Sequence, residues 1–199
     1  MSAVAALTGC VTGPEQLVLP DGAIKSLSVS VDGADDGYTV IDARFDETAT
    51  GAALFGLIGM AVNSSINADQ DKKSADQWRA VAATLDIDRE LQNAALDRFA
   101  QANRFPVAVG GASHRLEVVI RQWGLSRSEV STKNLRAFIN LRVQLVDSDG
   151  DVLWTDYPNS VGDFSTADRA AITDDVFERE LLSLAQKVGR TIANDLIYR

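Results

Sequence analysis

Residues 135–146 read Leu-Arg-Ala-Phe-Ile-Asn-Leu-Arg-Val-Gln-Leu-Val, and their alternation limits what this chain can become. Ala137, Ile139, Leu141, Val143 and Leu145 fall on one side, with Arg136, Asn140, Arg142 and Gln144 on the other. A period of two sends alternate side chains to opposite faces of a strand. The stretch therefore reads as a strand with one packed face and one wet face, as antiparallel meanders have. Asp147-Ser-Asp-Gly-Asp151 follows as a tight turn, and Val152–Tyr157 as the return strand. Upstream, Arg115–Trp123 alternates in the same way, with Leu116, Val118 and Ile120 on one face. Trp123, Trp154 and Tyr157 are expected in the core; exposed together, they would mark a binding face.

The rest of the chain supplies two more strands and three helices. Ile24–Val31 alternates, Asp32–Gly37 is a turn cluster, and Tyr38–Phe45 reads as the hairpin partner of the first strand. Ala75–Leu85 is helical, with Trp78, Val81, Ala82 and Leu85 on one face. Asp86, Asp88 and Glu90 then place acid in the first turn of another helix, where the dipole favours it. Leu91, Ala94, Ala95, Leu96 and Phe99 form its apolar side, and Arg104-Phe-Pro106 ends it. Asp174–Tyr198 is a long amphipathic helix striped by Val176, Phe177, Leu181, Leu184, Val188, Ile192 and Leu196. The expected fold is α+β: an antiparallel sheet of about five strands with helices on one face. Residues 24–199 form its single domain, after a Pro- and Gly-containing tether at 10–23.

Composition excludes several chemistries. Among 199 residues the net charge is −9, with Lys and Arg scattered, so no basic stripe exists to hold nucleic acid. One Cys and one His permit neither an intrachain disulfide nor a Cys/His zinc site. No apolar run reaches the roughly 18 residues of a membrane span. Asp147–Asp151 imitates a calcium loop, but Gly150 is its fourth residue and Pro158 stands twelfth, where a bidentate Glu belongs. Ser113 and His114 are adjacent, so on a strand they would point to opposite faces. Gly110-Gly111 lacks the rest of a phosphate loop. The carboxylates sit in turns and first helical turns, where structure already accounts for them. No catalytic residue, metal site or cofactor is expected.

Two segments bear on function. Thr48–Asn63 is charge-free and rich in small residues. It reads as a buried helix or loop packed on the sheet; if exposed, Gly51, Phe55, Gly56, Ile58 and Gly59 become the candidate partner-binding residues. The second is Leu7-Thr8-Gly9-Cys10, which follows a small apolar stretch and contains the only Cys. It resembles the lipobox of bacterial lipoproteins, in which the Cys thiol receives a diacylglyceryl group and becomes the mature N-terminus. Residues 1–9, with no Lys or Arg and a short apolar part, read as a truncated signal-peptide remnant. Two or more acyl chains hold a protein stably at a membrane. Val11 in place of Asp is compatible with sorting to the outer membrane.

From Arg89 onward the chain also resembles a broad group of bacterial envelope lipoproteins. The likeness lies in Leu91–Ala100, Asn103-Arg-Phe105, Leu116–Ile120, Leu141–Trp154 and the C-terminal helix. That group includes auxiliary lipoproteins of envelope transporters and the curli-secretion lipoproteins. The resemblance implies a periplasmic, non-enzymatic, protein-binding role, anchored at Cys10 on the periplasmic face of the outer membrane. The expectation is an accessory subunit of an envelope transport or secretion assembly, with the membrane and an envelope protein as partners. The alternative is a periplasmic carrier holding an apolar or glycan ligand between helices and sheet.

Overall fold

The computed structural model describes residues 22–41, 78–108, 110–127, 135–162 and 172–199. Its strands are β1 (Leu27–Asp32), β2 (Tyr38–Ile41), β3 (His114–Arg127), β4 (Leu135–Asp147), β5 (Val152–Asp156) and β6 (Asn159–Val161). The helices are α1 (Ala34–Gly37), α2 (Ile87–Ala102) and α3 (Asp174–Ile197), and residues 78–82 form a further piece of helix. The long strands β3 and β4 pair antiparallel along their lengths, from His114 opposite Asp147 to Arg127 opposite Leu135. Each carries an outer strand made of two pieces: β1 and β2 along β3, β5 and β6 along β4.

The α+β class stands, but the sheet is mixed and six-stranded, where about five antiparallel strands were expected. The first two strands are not hairpin partners. Both run parallel to β3, with Asp32 opposite Val119 and Tyr38 opposite Trp123. Residues 33–37 step across residues 120–122 of β3 without reversing the chain. Three features define this step. Gly33 adopts φ 102, and a Cβ there would come within 2.5 Å of the Ile120 carbonyl oxygen. Ala34 is buried, and its carbonyl accepts a 2.7 Å hydrogen bond from Trp123 Nε1. Opposite the step, β3 itself bulges between Ile120 and Gln122. Asp and Gly suit a reversing turn and a non-reversing one equally; the buried Ala34–Trp123 contact selects the second.

The sixth strand was hidden by a proline. Asp156 lies opposite Val143 and Asn159 opposite Asn140, in one unbroken register. Between them Leu141 N donates to Pro158 O at 3.0 Å, and Pro158 has no N–H to return. So β5 and β6 are a single outer strand interrupted by Pro158, at a sheet edge where proline is tolerated.

The helices cover one face. Leu116, Val118, Ile120, Ile139, Leu141, Val143 and Leu145 meet Leu91, Ala95 and Phe99 of α2 and Phe177, Leu181, Val188 and Leu196 of α3 in one apolar cluster. Full burial of each such large side chain contributes roughly 1.5–3 kcal/mol. Asp86 caps α2 by accepting from Arg89 N at 3.2 Å, and Asn103 ends it with φ 51 and an N–H to Phe99 O. Thr173 caps α3 through Val176 N. The two helices approach closely at Gly189, where a Cβ would strike the Leu91 carbonyl. Aromatic contacts join the layers: Trp78 stacks on Phe177 at 5.7 Å, Phe177 meets Tyr38 edge-on at 6.0 Å, and Tyr38 lies 5.2 Å from Trp123. The opposite face is less wet than its pattern implies, because Phe138 and Val146 are buried there among Asn140, Arg142 and Gln144.

Candidate functional site

A strand at a sheet edge presents unpaired N–H and C=O groups, which proteins either cover or leave available for pairing. The β1 edge is covered. Leu27 N donates to Pro106 O at 2.8 Å, and Ala108 N donates to Leu27 O at 2.9 Å, so the chain leaving α2 pairs with it. Two residues on, Gln92 of α2 donates its Nε2 to Val29 O at 2.7 Å. Just before β1 and β3, Ser26 and Ser113 exchange bonds: each hydroxyl accepts from the other's backbone N–H, at 3.0 and 2.9 Å.

The β5 edge is different. Pro158 turns its carbonyl to Leu141, so Asp156 and Trp154, two and four residues earlier, turn their backbone groups to β4 as well. Thr155 and Tyr157 therefore turn theirs outward. The Tyr157 N–H is taken by its neighbour, Asp156 Oδ1, at 2.8 Å. The Thr155 N–H and C=O and the Tyr157 C=O have no backbone partner among the described residues. The missing N–H of Pro158 faces β4, so the proline does not blunt the outward side. Around this open backbone the apolar side chains are exposed: Val152 by 53%, Leu153 by 40% and Tyr157 by 59%, against 6% for Trp154 between them.

Acid surrounds the same edge. Asp147 Oδ1 closes the β4–β5 turn by accepting from Asp149 N and Asp151 N, both at 2.9 Å, and leaves the Asp149 and Asp151 side chains exposed. On the helix side Asp195 of α3 has its pKa raised. Burial is the main cause, the Arg199 guanidinium opposes it, and Asp156 adds to it. Arg199 itself lies 4.8 Å above the Trp154 ring and shields it. Among the described residues the edge thus combines unpaired backbone, exposed apolar side chains and an acidic rim.

The sequence-derived candidates fall elsewhere. Cys10 and Gly51, Phe55, Gly56, Ile58 and Gly59 lie outside the described residues. Ser113 and His114 do meet, with Ser113 Oγ 3.0 Å from His114 Nδ1. Strand alternation does not separate them because Ser113 precedes β3. The Ser113 hydroxyl also lies 3.0 Å from Ser26 O, and it is built into the junction between β1 and β3. Asp147 lies opposite His114, but its carboxylate serves the turn. Trp123 and Trp154 are core residues as expected, whereas Tyr157 is not. The exposure of Tyr157 was legible only from Pro158, which takes the chain out of regular strand immediately after it.

No protein-family model matches the chain, and no curated protein matches it. Solved structures do. A DUF330-family protein of Xanthomonas campestris is 13% identical, with 88% of this chain and 84% of that one covered and a TM-score of 0.49. The PelC dodecamer protein of Paraburkholderia phytofirmans is 12% identical over 93% and 95%, with a TM-score of 0.41. A minor lipoprotein of Acinetobacter baumannii is 9% identical over 87% and 95%, with a TM-score of 0.39. Bacterial lipoproteins are thus among the structures this chain resembles. At such distances the likeness transfers neither site nor activity, and the architecture above rests on this chain's own geometry.

Proposed function

We propose that this chain is a lipid-anchored accessory domain on the periplasmic face of the bacterial outer membrane, which binds a protein partner of an envelope transport or secretion assembly and catalyses no reaction. The observation that carries the binding role is the contrast between the two sheet edges. Leu27 N–H, Leu27 C=O and Val29 C=O of β1 are bonded to the chain leaving α2 and to Gln92, while the Thr155 N–H and C=O and the Tyr157 C=O have no partner among the described residues and lie beside exposed Val152, Leu153 and Tyr157. An edge of this kind is a template for strand addition. The anchor rests on Leu7-Thr8-Gly9-Cys10, where diacylation and cleavage would leave Cys10 at the head of the tether.

Metabolic labelling with radioactive palmitate tests the anchor in bacteria making the gene product. Label is expected on the wild-type protein and not on Cys10→Ser, and the wild-type protein is expected in the outer-membrane fraction. An unlabelled wild-type protein, or equal label on Cys10→Ser, contradicts the anchor.

A further inference from the structure

Resting on the reading of β5 as the binding edge, we infer that its occupant is an extended segment of another protein in which apolar and basic residues alternate. The backbone sets the first requirement. Thr155 offers one N–H and one C=O outward and Tyr157 a C=O, so an added strand can pair without disturbing the β4 ladder. The side chains set the second. Successive residues of an added strand point to opposite faces. On one face they meet exposed Tyr157, on the face opposite Trp154; on the other they meet the helix side, where Asp156 and Asp195 lie together beside Arg199. Asp149 and Asp151 extend the acid around the turn. Apolar residues suit the first face and Lys or Arg the second. A cation there also competes for the Asp156 carboxylate, which releases the Tyr157 N–H for the ladder.

The same charges argue against a second copy of this chain. Edge-to-edge pairing would bring one acidic rim against another, in a protein whose net charge is already −9. The segment described here neutralises the rim instead.

The test uses the full chain carrying Cys10→Ser, so that acylation plays no part and the anchor can fail without affecting the outcome. The probe is a fluorescein-labelled octapeptide alternating Val and Lys, read by anisotropy at physiological salt. Two control peptides accompany it: one with the same composition in blocks, and one with alternate backbone nitrogens methylated so that they cannot donate. The alternating peptide is expected to bind at least tenfold more tightly than either control. Thr155→Pro, which removes the outward N–H and leaves the β4 ladder intact, is expected to weaken it about tenfold, and Asp156→Asn several-fold. Equal binding of the block or methylated peptide would mean attraction by charge alone and would overturn the inference. So would sedimentation of the free protein as a dimer that Thr155→Pro dissociates, because a second copy would then be the occupant. If Thr155→Pro does not fold, the methylated peptide on the unmutated edge still decides.

Discussion

The two outer strands of this sheet share a design and differ in how they are finished. Each is broken once: β1 and β2 by the α1 step, β5 and β6 by Pro158. At the first edge, outward backbone groups of β1 are bonded to residues 106–108 and to Gln92, and a buried Trp123 holds the step in place. At the second, the outward groups of Thr155 and Tyr157 meet only the carboxylate of Asp156 among the described residues. The first edge is bound up with the stability of the domain. The outward groups of the second contribute no bond to another element among the described residues. Local function of this kind belongs where packing is sparse.

That contrast can be broken most forcefully at the first edge. Gly33→Val puts a branched side chain at φ 102, with its Cβ against the Ile120 carbonyl oxygen. Strained backbone alone costs about 1–3 kcal/mol, and the overlap adds to it. A loss of about 3 kcal/mol or more is expected in urea titration. Gln92→Ala is milder. It removes the partner of the Val29 carbonyl and is expected to lower stability by about 1–2 kcal/mol. At the second edge, Tyr157→Ser deletes an exposed ring and is expected to change stability by less than about 0.5 kcal/mol. If it costs as much as Gln92→Ala, Tyr157 is part of the packed structure and the contrast is lost.

The smallest effect concerns pH. Asp195 has a raised pKa in the folded protein, chiefly through burial, so the native state binds its proton more tightly than the unfolded chain does. Stability from this group is therefore greatest at low pH and falls as pH rises through the window just above the ordinary value of 3.8. Asp195→Asn is expected to flatten that part of the profile of melting temperature against pH. An unchanged slope would mean that the edge acids do not sense one another or their burial.

Much of the fold was legible because its periodicities are long. The alternation of Leu135–Val146 located β4 and its buried side, and the stripe from Phe177 to Leu196 located α3. Pairing was less legible. Asp32–Gly37 has the composition of a hairpin turn, and only the burial of Ala34 under Trp123 makes it a step between two parallel segments. The separation of Ser113 from His114 failed for a related reason: alternation holds within a strand, and Ser113 lies just outside one. The candidate edge was the least visible part. Which backbone groups face outward depends on the register of Pro158 with Leu141, and neither residue reveals that register alone.

Amide hydrogen exchange at single-residue resolution compares the edges directly in the free protein. The Thr155 N–H is expected to exchange close to the rate of an unpaired amide, while Trp154 and Asp156, facing β4, and Leu27 and Ala108, at the covered edge, are protected by orders of magnitude. Protection of Thr155 equal to that of Trp154 would show that the β5 edge is already paired, and would contradict its role as the binding edge.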